Sequence, residues 1–305
     1  MKIEIRDITK NFGDKEVLKG ITFETESGKA HGLLGRNGAG KTTTIRIIMG
    51  VFFQNSGEIL VDEKEINRDK LRIGYLPEER GLYPKIKIAE QLVYFGMLRG
   101  LSKQDARKAG VKWLDRMGMT EYKDKKLETL SKGNQQKIQL AATLLCDPQL
   151  IILDEPFSGL DPVNAMLLKD VISEMIDGGS AVIFSSHQMN YIEEFCRDIS
   201  ILNAGKIAVD GQINDIKRSY PRNTLIIYSQ EYDRLSSFIA KSFSERTDSV
   251  ESSEKDSIVT VKLRNEKDKD ELIKLLLDNK FAFDGFRVKE PSLNDIFVQY
   301  TEGGI

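Results

Sequence analysis

The stretch that decides the fold of this chain reads Gly35-Arg36-Asn37-Gly38-Ala39-Gly40-Lys41-Thr42. It fits the pattern G-x-x-x-x-G-K-[ST], with an apolar run at 30–34 before it and a helical pattern at 41–49 after it. The glycines let the backbone fold tightly so that successive N–H groups point inward, and the helix adds the positive end of its dipole. The pattern predicts a loop that binds the phosphates of a nucleoside triphosphate, with Lys41 on the β- and γ-phosphates and the Thr42 hydroxyl on Mg²⁺.

A second apolar strand ends in two carboxylates, in the run Leu150-Ile151-Ile152-Leu153-Asp154-Glu155-Pro156. Burying charge without a partner is unfavourable, so the pattern favours a cation beyond the end of this strand. Asp154 is suited to hold Mg²⁺ directly or through water, and Glu155 is suited to reach the water that attacks the γ-phosphate. The alternative interpretation is a strand end that is simply solvated.

Short apolar runs bounded by turn residues recur along the first part of the chain, for example at 181–184. Such runs are typical of strands buried on both faces of a parallel sheet, and here they alternate with helical patterns. From about residue 86 to residue 148 the period is helical, with breaks at 100–102 and 131–133. We therefore expect an α/β P-loop domain over 1–215 that carries an inserted helical subdomain.

The pattern changes near Asp215, where a charged, proline-containing stretch at 216–222 is interpreted as a linker. Residues 223–305 are predicted to form a separate small α+β domain, with a ferredoxin-like arrangement as the expected topology. Its strands are expected at 224–229, 258–263 and 281–288, its helices at 232–243, at 268–277 and from Ser292, and a polar loop before the second strand.

The composition excludes several classes of protein. The chain has 305 residues, with 45 Lys and Arg against 47 Asp and Glu, and this near-neutral balance argues against a protein whose main partner is nucleic acid. Two cysteines exclude a disulfide scaffold and a four-thiolate zinc site. The longest stretch free of charged side chains, 178–192, is shorter and more polar than the roughly 20 apolar residues of a membrane span. We expect a cytoplasmic protein that does not itself cross a membrane.

Further motifs follow the phosphate-binding loop in a fixed order. Leu130-Ser131-Lys132-Gly133-Asn134-Gln135-Gln136 leads into a helix, Ser158-Gly159-Leu160-Asp161 follows the strand of Asp154, and His187 follows the next strand. In this order the motifs resemble the nucleotide-binding domain of the ATP-binding cassette (ABC) transporters, over about residues 1–215. The run at 76–84, the terminal run at 291–297 and the appended domain are similar to those of bacterial exporter ATPases of the sodium-efflux and drug-efflux type.

The resemblance implies a set of site residues. Glu155, His187 and Lys41 are the expected catalytic residues, and His187 matches the histidine that contacts the γ-phosphate and orders the attacking water. Phe12 matches an aromatic ring that stacks on adenine, although a phenylalanine of the core is the alternative. His31 is expected only to pack. The remaining expectations are Mg²⁺ ligands at Thr42, Asp154 and Glu78, and nucleotide contacts at Gly35, Asn37, Gly38, Ala39, Gly40, Lys41, Thr42, Thr43 and Glu78.

The resemblance also implies two protein partners. In this family two cassettes pair head to tail, so that Ser131 and Gly133 of one would contact the γ-phosphate bound by the other. Asp161 matches the loop that touches the partner's site, with a helix cap as the rival interpretation. The second cassette would be an identical copy or a paralogue. The other partner would be an integral membrane permease, docked at the loop 78–84, which would hold the protein on the inner face of the cell membrane.

Three positions depart from the family pattern. Glu78 stands where Gln is usual, Lys132 where Gly is usual and Asn134 where Gln is usual. A carboxylate at position 78 can still ligate Mg²⁺, but it adds negative charge beside the phosphates and cannot donate as an amide does. ATP and Mg²⁺ remain the expected cofactors, and we expect ATP turnover to be retained.

Three functional hypotheses are compatible with a phosphate-binding loop. The first is an ATPase subunit that energises a separate membrane permease, as in an exporter. The second is a soluble ABC ATPase that acts on ribosomes or DNA, but such proteins usually carry two cassettes, a long coiled coil or zinc cysteines, none of which this sequence has. The third, a P-loop kinase or a binding module without turnover, leaves Ser131, Asp161 and His187 unexplained. The first hypothesis is therefore preferred, and no nucleic-acid partner is expected.

Overall fold

The computed structural model of the chain describes residues 1–79 and 81–302, with only the backbone of residue 302. Its contacts divide it into two units, one of Met1–Ile213 with the residues from Phe297 onward, the other of Asn214–Ile296. The sequence-based division instead places all of 223–305 in the second domain. The difference lies at the end of the chain, where the Asn203 side-chain amide donates to the Tyr300 carbonyl at 2.8 Å.

The first unit contains two sheets. The antiparallel sheet has the spatial order β2-β1-β4-β5, from strands β1 (Lys2–Phe12), β2 (Lys15–Glu26), β4 (Ser56–Val61) and β5 (Lys64–Glu65). The larger sheet has the order β10-β9-β3-β8-β7-β6, from strands β3 (Ala30–Gly35), β6 (Ile73–Leu76), β7 (Leu150–Asp154), β8 (Ala181–Ser185), β9 (Asp198–Asn203) and β10 (Lys206–Gln212).

The larger sheet is parallel except at one edge. β9, β3, β8, β7 and β6 pair in parallel, and β10 is antiparallel to β9. Every residue of β3, β7 and β8 is buried, as the near-continuous apolar runs predict for strands covered on both faces. The predicted α/β core with a parallel sheet is confirmed.

The helices of the first unit follow the predicted order. They are α1 (Lys41–Ile48), α2 (Ile88–Leu98), α3 (Lys103–Arg116), α4 (Lys132–Leu144), α5 (Pro162–Asp177) and α6 (Met189–Phe195), with 3-10 turns at Thr120–Tyr122 and Leu127–Thr129. The inserted helical segment is thus α2, α3 and α4. α4 begins at Lys132, earlier than the predicted Gln135, because the Ser131 hydroxyl caps it by accepting the Asn134 N–H at 3.3 Å.

The second unit is a small α+β fold. Helix α7 (Ile213–Ser219) leads to β11 (Thr224–Tyr228), α8 (Tyr232–Ser242), a 3-10 turn (Ser244–Arg246), β12 (Thr247–Ser253), β13 (Ile258–Leu263), α9 (Asp268–Asp278), β14 (Gly285–Val288) and α10 (Leu293–Glu302). The four strands form an antiparallel sheet of order β12-β13-β11-β14. Strands and helices thus follow the β-α-β-β-α-β order of ferredoxin-like folds, as expected.

Two predictions for the second unit are wrong. The stretch predicted as a polar loop contains β12, whose sequence Thr-Asp-Ser-Val-Glu-Ser-Ser lacks the apolar alternation of a half-buried strand. It is an edge strand paired only with β13 in the described sheet, so most of its side chains can stay polar. The predicted linker 216–222 overlaps α7, which is held by the buried side chains of Ile213 and Ile216.

Among the described residues, no helix combines the length and the apolar character that crossing a membrane requires.

His31 is a polar residue inside the central strand β3. Its side chain is 3% exposed, and its ring stacks on Phe23 with the centroids 5.0 Å apart. Nε2 lies 2.8 Å from the Ser200 hydroxyl, which in turn donates to the Asp210 carboxylate at 2.5 Å. The expectation that His31 only packs is therefore incomplete. Burial disfavours the charged imidazolium and lowers the pKa of His31 from 6.5 to about 4.

We predict that His31 makes the fold sensitive to acid. Because its folded-state pKa, about 4, lies below the ordinary value of 6.5, the unfolded chain binds the proton first. Stability is therefore complete above pH 6.5 and falls as the pH is lowered toward 4, by up to roughly 1.4 kcal/mol per pH unit. His31→Gln should flatten this slope in urea unfolding between pH 7 and 4. Parallel pH profiles for the wild type and the variant would contradict the prediction.

Candidate active site

Parallel register brings the functional loops to one edge of the larger sheet. β3 ends at Gly35, and Asp154 at the end of β7 pairs with Ser185 at the end of β8. Since the carboxyl ends of parallel strands meet at the same edge, the loops that follow these strands lie side by side. A cleft of about 740 Å³ opens there.

Eleven of the predicted site residues line this cleft. They come from β1, the phosphate-binding loop, the loops after β6 and β7, and the loop after β8: Phe12, Asn37, Gly38, Gly40, Lys41, Thr42, Thr43, Glu78, Asp154, Glu155 and His187. Gly35, Ala39, Ser131, Gly133 and Asp161 do not line it. The described structure therefore brings most of the predicted nucleotide contacts together and leaves the residues expected to act on a partner's site outside.

The phosphate-binding loop is shaped by glycines in left-handed conformations. Gly38 has φ +83° and Gly40 has φ +116°, both in the region that favours glycine. A Cβ atom at Gly40 would lie 2.5 Å from Leu18 Cδ2, so no larger residue fits there without a shift. Helix α1 starts at the next residue and has no acidic side chain in its first turn. Its N-terminal N–H groups are thus left to bind an anion.

Lys41 lies at the bottom of the cleft, facing three carboxylates. Its ammonium group donates to the Gly35 carbonyl at 2.5 Å and to the Arg36 carbonyl at 3.4 Å. Burial lowers the pKa of Lys41, while the negative charges of Glu155, Asp154 and Glu78 act in the opposite direction. A partly desolvated ammonium group held by two carbonyls is well placed to bind a polyphosphate.

Asp154 is 4% exposed and lies at the end of β7. Burial raises the pKa of Asp154, and the nearby charges of Glu78 and Glu155 add to this effect. Negative charge is therefore concentrated at this point, which is the environment that a cation stabilises.

Glu155 is held in a strained and fully specified position. It has φ +49°, a left-handed conformation that costs a non-glycine residue about 1–3 kcal/mol. Its backbone N–H donates to the Ser185 carbonyl at 2.8 Å. Its Oε1 accepts the His187 backbone N–H at 2.8 Å, and its Oε2 accepts the Ser186 hydroxyl at 3.1 Å. The surrounding structure thus fixes the orientation of the carboxylate.

His187 completes this arrangement. Its Nδ1 lies 2.8 Å from Glu155 Oε1, and its side chain is 68% exposed where that of Glu155 is 9% exposed. Because the imidazole extends from the buried carboxylate toward solvent, the pair can contact a bound anion and a water molecule at the same time.

Two glutamines of α4 hold the loops around the site. The Gln139 amide donates to the carbonyls of Pro77 and Glu79, at 3.3 and 3.2 Å, so that the loop carrying Glu78 is tied to the helix. The Gln136 amide donates to the Pro156 carbonyl at 3.2 Å, directly after Glu155. The helical segment is thereby connected to both carboxylates.

Ser131, Gly133 and Asp161 form a neighbourhood of their own. Ser131 caps α4 and is exposed, whereas a Cβ atom at Gly133 would lie 2.7 Å from the Asn164 amide nitrogen. Asp161 caps α5, because its Oδ1 accepts the Asn164 N–H at 2.9 Å and its Oδ2 accepts the Asn164 side-chain amide at 2.5 Å. The helix-cap interpretation of Asp161 therefore holds.

Phe12 is an exposed residue of the cleft wall. It is 44% exposed and packs edge-on against Phe52, with the centroids 5.3 Å apart. Its other face has room for a planar ligand at the mouth of the cleft, so the alternative interpretation of Phe12 as a core residue is wrong.

Sequence reasoning missed several residues of the site. Ser186 directly precedes His187 and could have been found as a hydroxyl beside the predicted carboxylate. The other missed residues come from β2, from the phosphate-binding loop and from the turn after β9, and only the tertiary fold places them here: Lys15, Glu16, Val17, Lys19, Arg36 and Ala204.

Comparison with known proteins gives the following similarities. The family model "ABC transporter" matches residues 18–158, and the model "ATP-binding protein DrrA1-3-like, C-terminal domain" matches residues 211–301. The ABC transporter ATP-binding protein YhaQ of Bacillus subtilis (strain 168) is 41% identical over 298 residues, which is 97% of each chain. The linearmycin resistance ATP-binding protein LnrL of the same organism is 35% identical over 228 residues, 73% of each chain. A solved ATP-binding subunit of an ABC transporter matches with a TM-score of 0.66 and 29% identity, over 72% of this chain and 92% of that one.

We predict that Lys41→Met weakens the binding of inorganic tripolyphosphate to this cleft by roughly tenfold or more, because a charge-assisted hydrogen bond is lost. Isothermal titration calorimetry on the full chain measures the change. Lys64→Met, which removes an exposed lysine of β5, is the matched control. Equal affinity of Lys41→Met and the wild type would show that the phosphates bind elsewhere.

Proposed function

The chain belongs to the family of ABC transporter ATP-binding proteins, and from that premise we propose how its own residues bind and hydrolyse ATP. Members of this family are ATPases whose hydrolysis of ATP is coupled to transport. The conformation of Glu155 is the observation that carries the proposal. A strained, buried carboxylate fixed through both oxygens is a costly feature that a merely structural strand end does not need.

In the proposed reaction, Glu155 accepts a proton from the water that attacks the γ-phosphorus. The new P–O bond forms as the bond to the β–γ bridging oxygen breaks, and ADP leaves with that electron pair. Lys41 and the loop N–H groups stabilise the negative charge on the β- and γ-phosphates. His187 contacts the γ-phosphate and helps to orient the water, and Phe12 stacks on adenine, a contact of about 1–3 kcal/mol by analogy with base stacking.

The residues present fit a bound Mg²⁺. Thr42, Asp154 and Glu78 offer the hard oxygen donors that this ion prefers, on the same cleft as the phosphate-binding loop. Within residues 1–79 and 81–302, no group of three or more His, Cys, Asp or Glu side chains is arranged to hold a metal alone. We therefore assign the ion to Thr42 and Asp154 together with phosphate oxygens and water, with Glu78 as a further ligand. When bound, the ion supplies positive charge beside the β- and γ-phosphates.

A second cassette completes the proposed site. Ser131 is exposed at the N-terminus of α4 and does not line the cleft of its own chain. The neighbouring surface of α5 carries two exposed apolar residues, Val163 at 76% and Met166 at 66%. This combination supports a head-to-tail dimer, with an identical copy or a paralogue, in which Ser131 contacts the γ-phosphate of the partner.

We predict that Glu155→Gln binds ATP, lowers phosphate release by roughly 10²- to 10⁴-fold and accumulates as a dimer. The amide keeps the size of the side chain but cannot take a proton from water. Phosphate release and size-exclusion chromatography with ATP measure the two effects, and Glu121→Gln, an exposed change outside the cleft, is the control. Undiminished phosphate release in Glu155→Gln would remove Glu155 from the role of base.

The proposed partner of the ATPase is a membrane permease of the exporter type. The similarity of residues 211–301 to the DrrA1-3-like C-terminal domain and the linearmycin resistance role of LnrL support export of a toxic small molecule. The loop 78–84, of which residue 80 lies outside the described residues, leads into an aromatic surface. Tyr83 stacks on Phe95 of α2 at 6.0 Å, and Tyr94 on the same helix is 48% exposed. We assign the docking of the permease to this surface, which would hold the ATPase at the inner face of the cell membrane.

We predict that the full chain, captured from detergent-solubilised membranes of its own cells, brings with it one integral membrane protein. Tyr94→Asp should remove that protein from the eluate and leave the basal ATPase rate of the purified subunit unchanged. Val111→Asp, which places the same charge on an exposed position of α3, should retain it. Co-elution of ribosomes or DNA, or retention of the membrane protein by Tyr94→Asp, would contradict the proposed docking.

A further inference from the structure

A second cavity, of about 390 Å³, lies at the opposite end of β3 from the phosphate-binding loop. It is formed by the ends of β2 and β10 and the beginnings of β1, β3 and β9. All of its lining residues belong to the first unit, and it shares none with the nucleotide cleft. His31 and Gly35 lie about 13 Å apart along the strand, at about 3.3 Å per residue. The cavity is therefore separate from the site described above.

The charges around this cavity leave two carboxylates without a basic partner. Lys2 forms an ion pair with Glu24 at 2.7 Å, and Lys29 forms one with Glu26. Asp198 and Asp210 also line the cavity, and neither forms an ion pair with any described residue. The lining is therefore negative where these two aspartates lie.

Two buried polar atoms of the lining lack hydrogen-bond partners among the described residues. They are Thr25 Oγ1, on a side chain 5% exposed, and His31 Nδ1, on a side chain 3% exposed. An unsatisfied buried polar group is unfavourable, and native structures contain few of them. Their presence together at one cavity indicates a bound group that the protein atoms alone do not replace.

The hydrogen-bond chain defines what this group must offer. The Ser200 hydroxyl has one proton and donates it to Asp210, so Ser200 Oγ accepts from His31 Nε2–H. His31 is neutral at physiological pH because burial lowers its pKa to about 4, so Nδ1 carries a lone pair and no proton. Nδ1 is thus an acceptor, as are the two aspartates, and the Thr25 hydroxyl can accept as well. The missing group is a donor with positive charge.

We propose that this cavity is a binding site for a small organic cation that carries primary ammonium groups, with Asp198 and Asp210 as its counter-ions and His31 Nδ1 and Thr25 Oγ1 as further acceptors. The cavity volume suits a small organic molecule. No cluster of three or more His, Cys, Asp or Glu side chains in the described chain is arranged for a metal, so a bare metal ion fits the lining less well. The proposal does not depend on the nucleotide cleft.

The binding test uses the full chain without nucleotide, at constant ionic strength. The probe is 1,4-diaminobutane, titrated in an isothermal calorimeter beside 1,4-butanediol, which has the same shape without charge, and tetramethylammonium, which has the charge without N–H donors. We expect saturable binding of the diamine and none of the two controls. Equal binding of tetramethylammonium, or no saturable binding of the diamine, which would leave water as the occupant, overturns the proposal.

Matched variants locate the binding. Asp210→Asn keeps the size of the side chain and an acceptor for Ser200, and it should weaken the diamine roughly tenfold or more. Thr25→Val, of similar shape, should also weaken it. Asp177→Asn, which removes an exposed carboxylate at the end of α5, should not. Full affinity in Asp210→Asn would place the diamine elsewhere and refute the site.

A spectroscopic readout tests His31 directly. The chain has two histidines, so side-chain nitrogen resonances are few, and His31→Gln identifies those of His31. Accepting an ammonium hydrogen bond should move the Nδ1 resonance upfield as the diamine saturates, while that of Nε2 stays close to its value. A Nδ1 resonance unmoved at saturation would remove His31 from the proposed site, even if heat of binding is observed.

Discussion

The parallel register of the buried sheet is the constraint on which the rest of the molecule depends. β3, β7 and β8 are covered on both faces, so their side chains can only be apolar or internally paired, and chemistry is confined to the strand ends. Because these strands point the same way, Gly35, Asp154 and Ser185 end at one edge. The phosphate-binding loop, the two carboxylates and His187 therefore meet without any long-range signal in the sequence.

The strain at Glu155 follows from that geometry. Asp154 still pairs in the sheet, opposite Ser185, and the next residue must turn its side chain back toward the cleft. A left-handed backbone achieves this within one residue, and its cost of about 1–3 kcal/mol is offset by hydrogen bonds to Ser185, Ser186 and His187. The position of the carboxylate is thus set by the sheet on one side and by the loop after β8 on the other. Local stability is exchanged here for a fixed orientation.

Local patterns predicted well the features that depend on a few neighbouring residues. The phosphate-binding loop, the apolar strands and the breaks between α2, α3 and α4 all follow from short-range chemistry, and most of the predicted contacts lie in one cleft. The failures have a common physical reason. β12 is polar because it is an edge strand, and Lys15, Lys19 and Ala204 reach the cleft only because distant strands are brought beside the loop. Neither effect leaves a periodic pattern to read.

His31 shows why packing alone is an insufficient account of a buried polar residue. An apolar side chain of similar size could stack on Phe23 without the desolvation that lowers the pKa of the imidazole to about 4. The chain of hydrogen bonds through Ser200 to Asp210 offsets this penalty at Nε2 only. The penalty at Nδ1 remains, at the lining of a cavity whose aspartates also lack basic partners. A donor bound in that cavity would satisfy the imidazole and the carboxylates together, which packing cannot do.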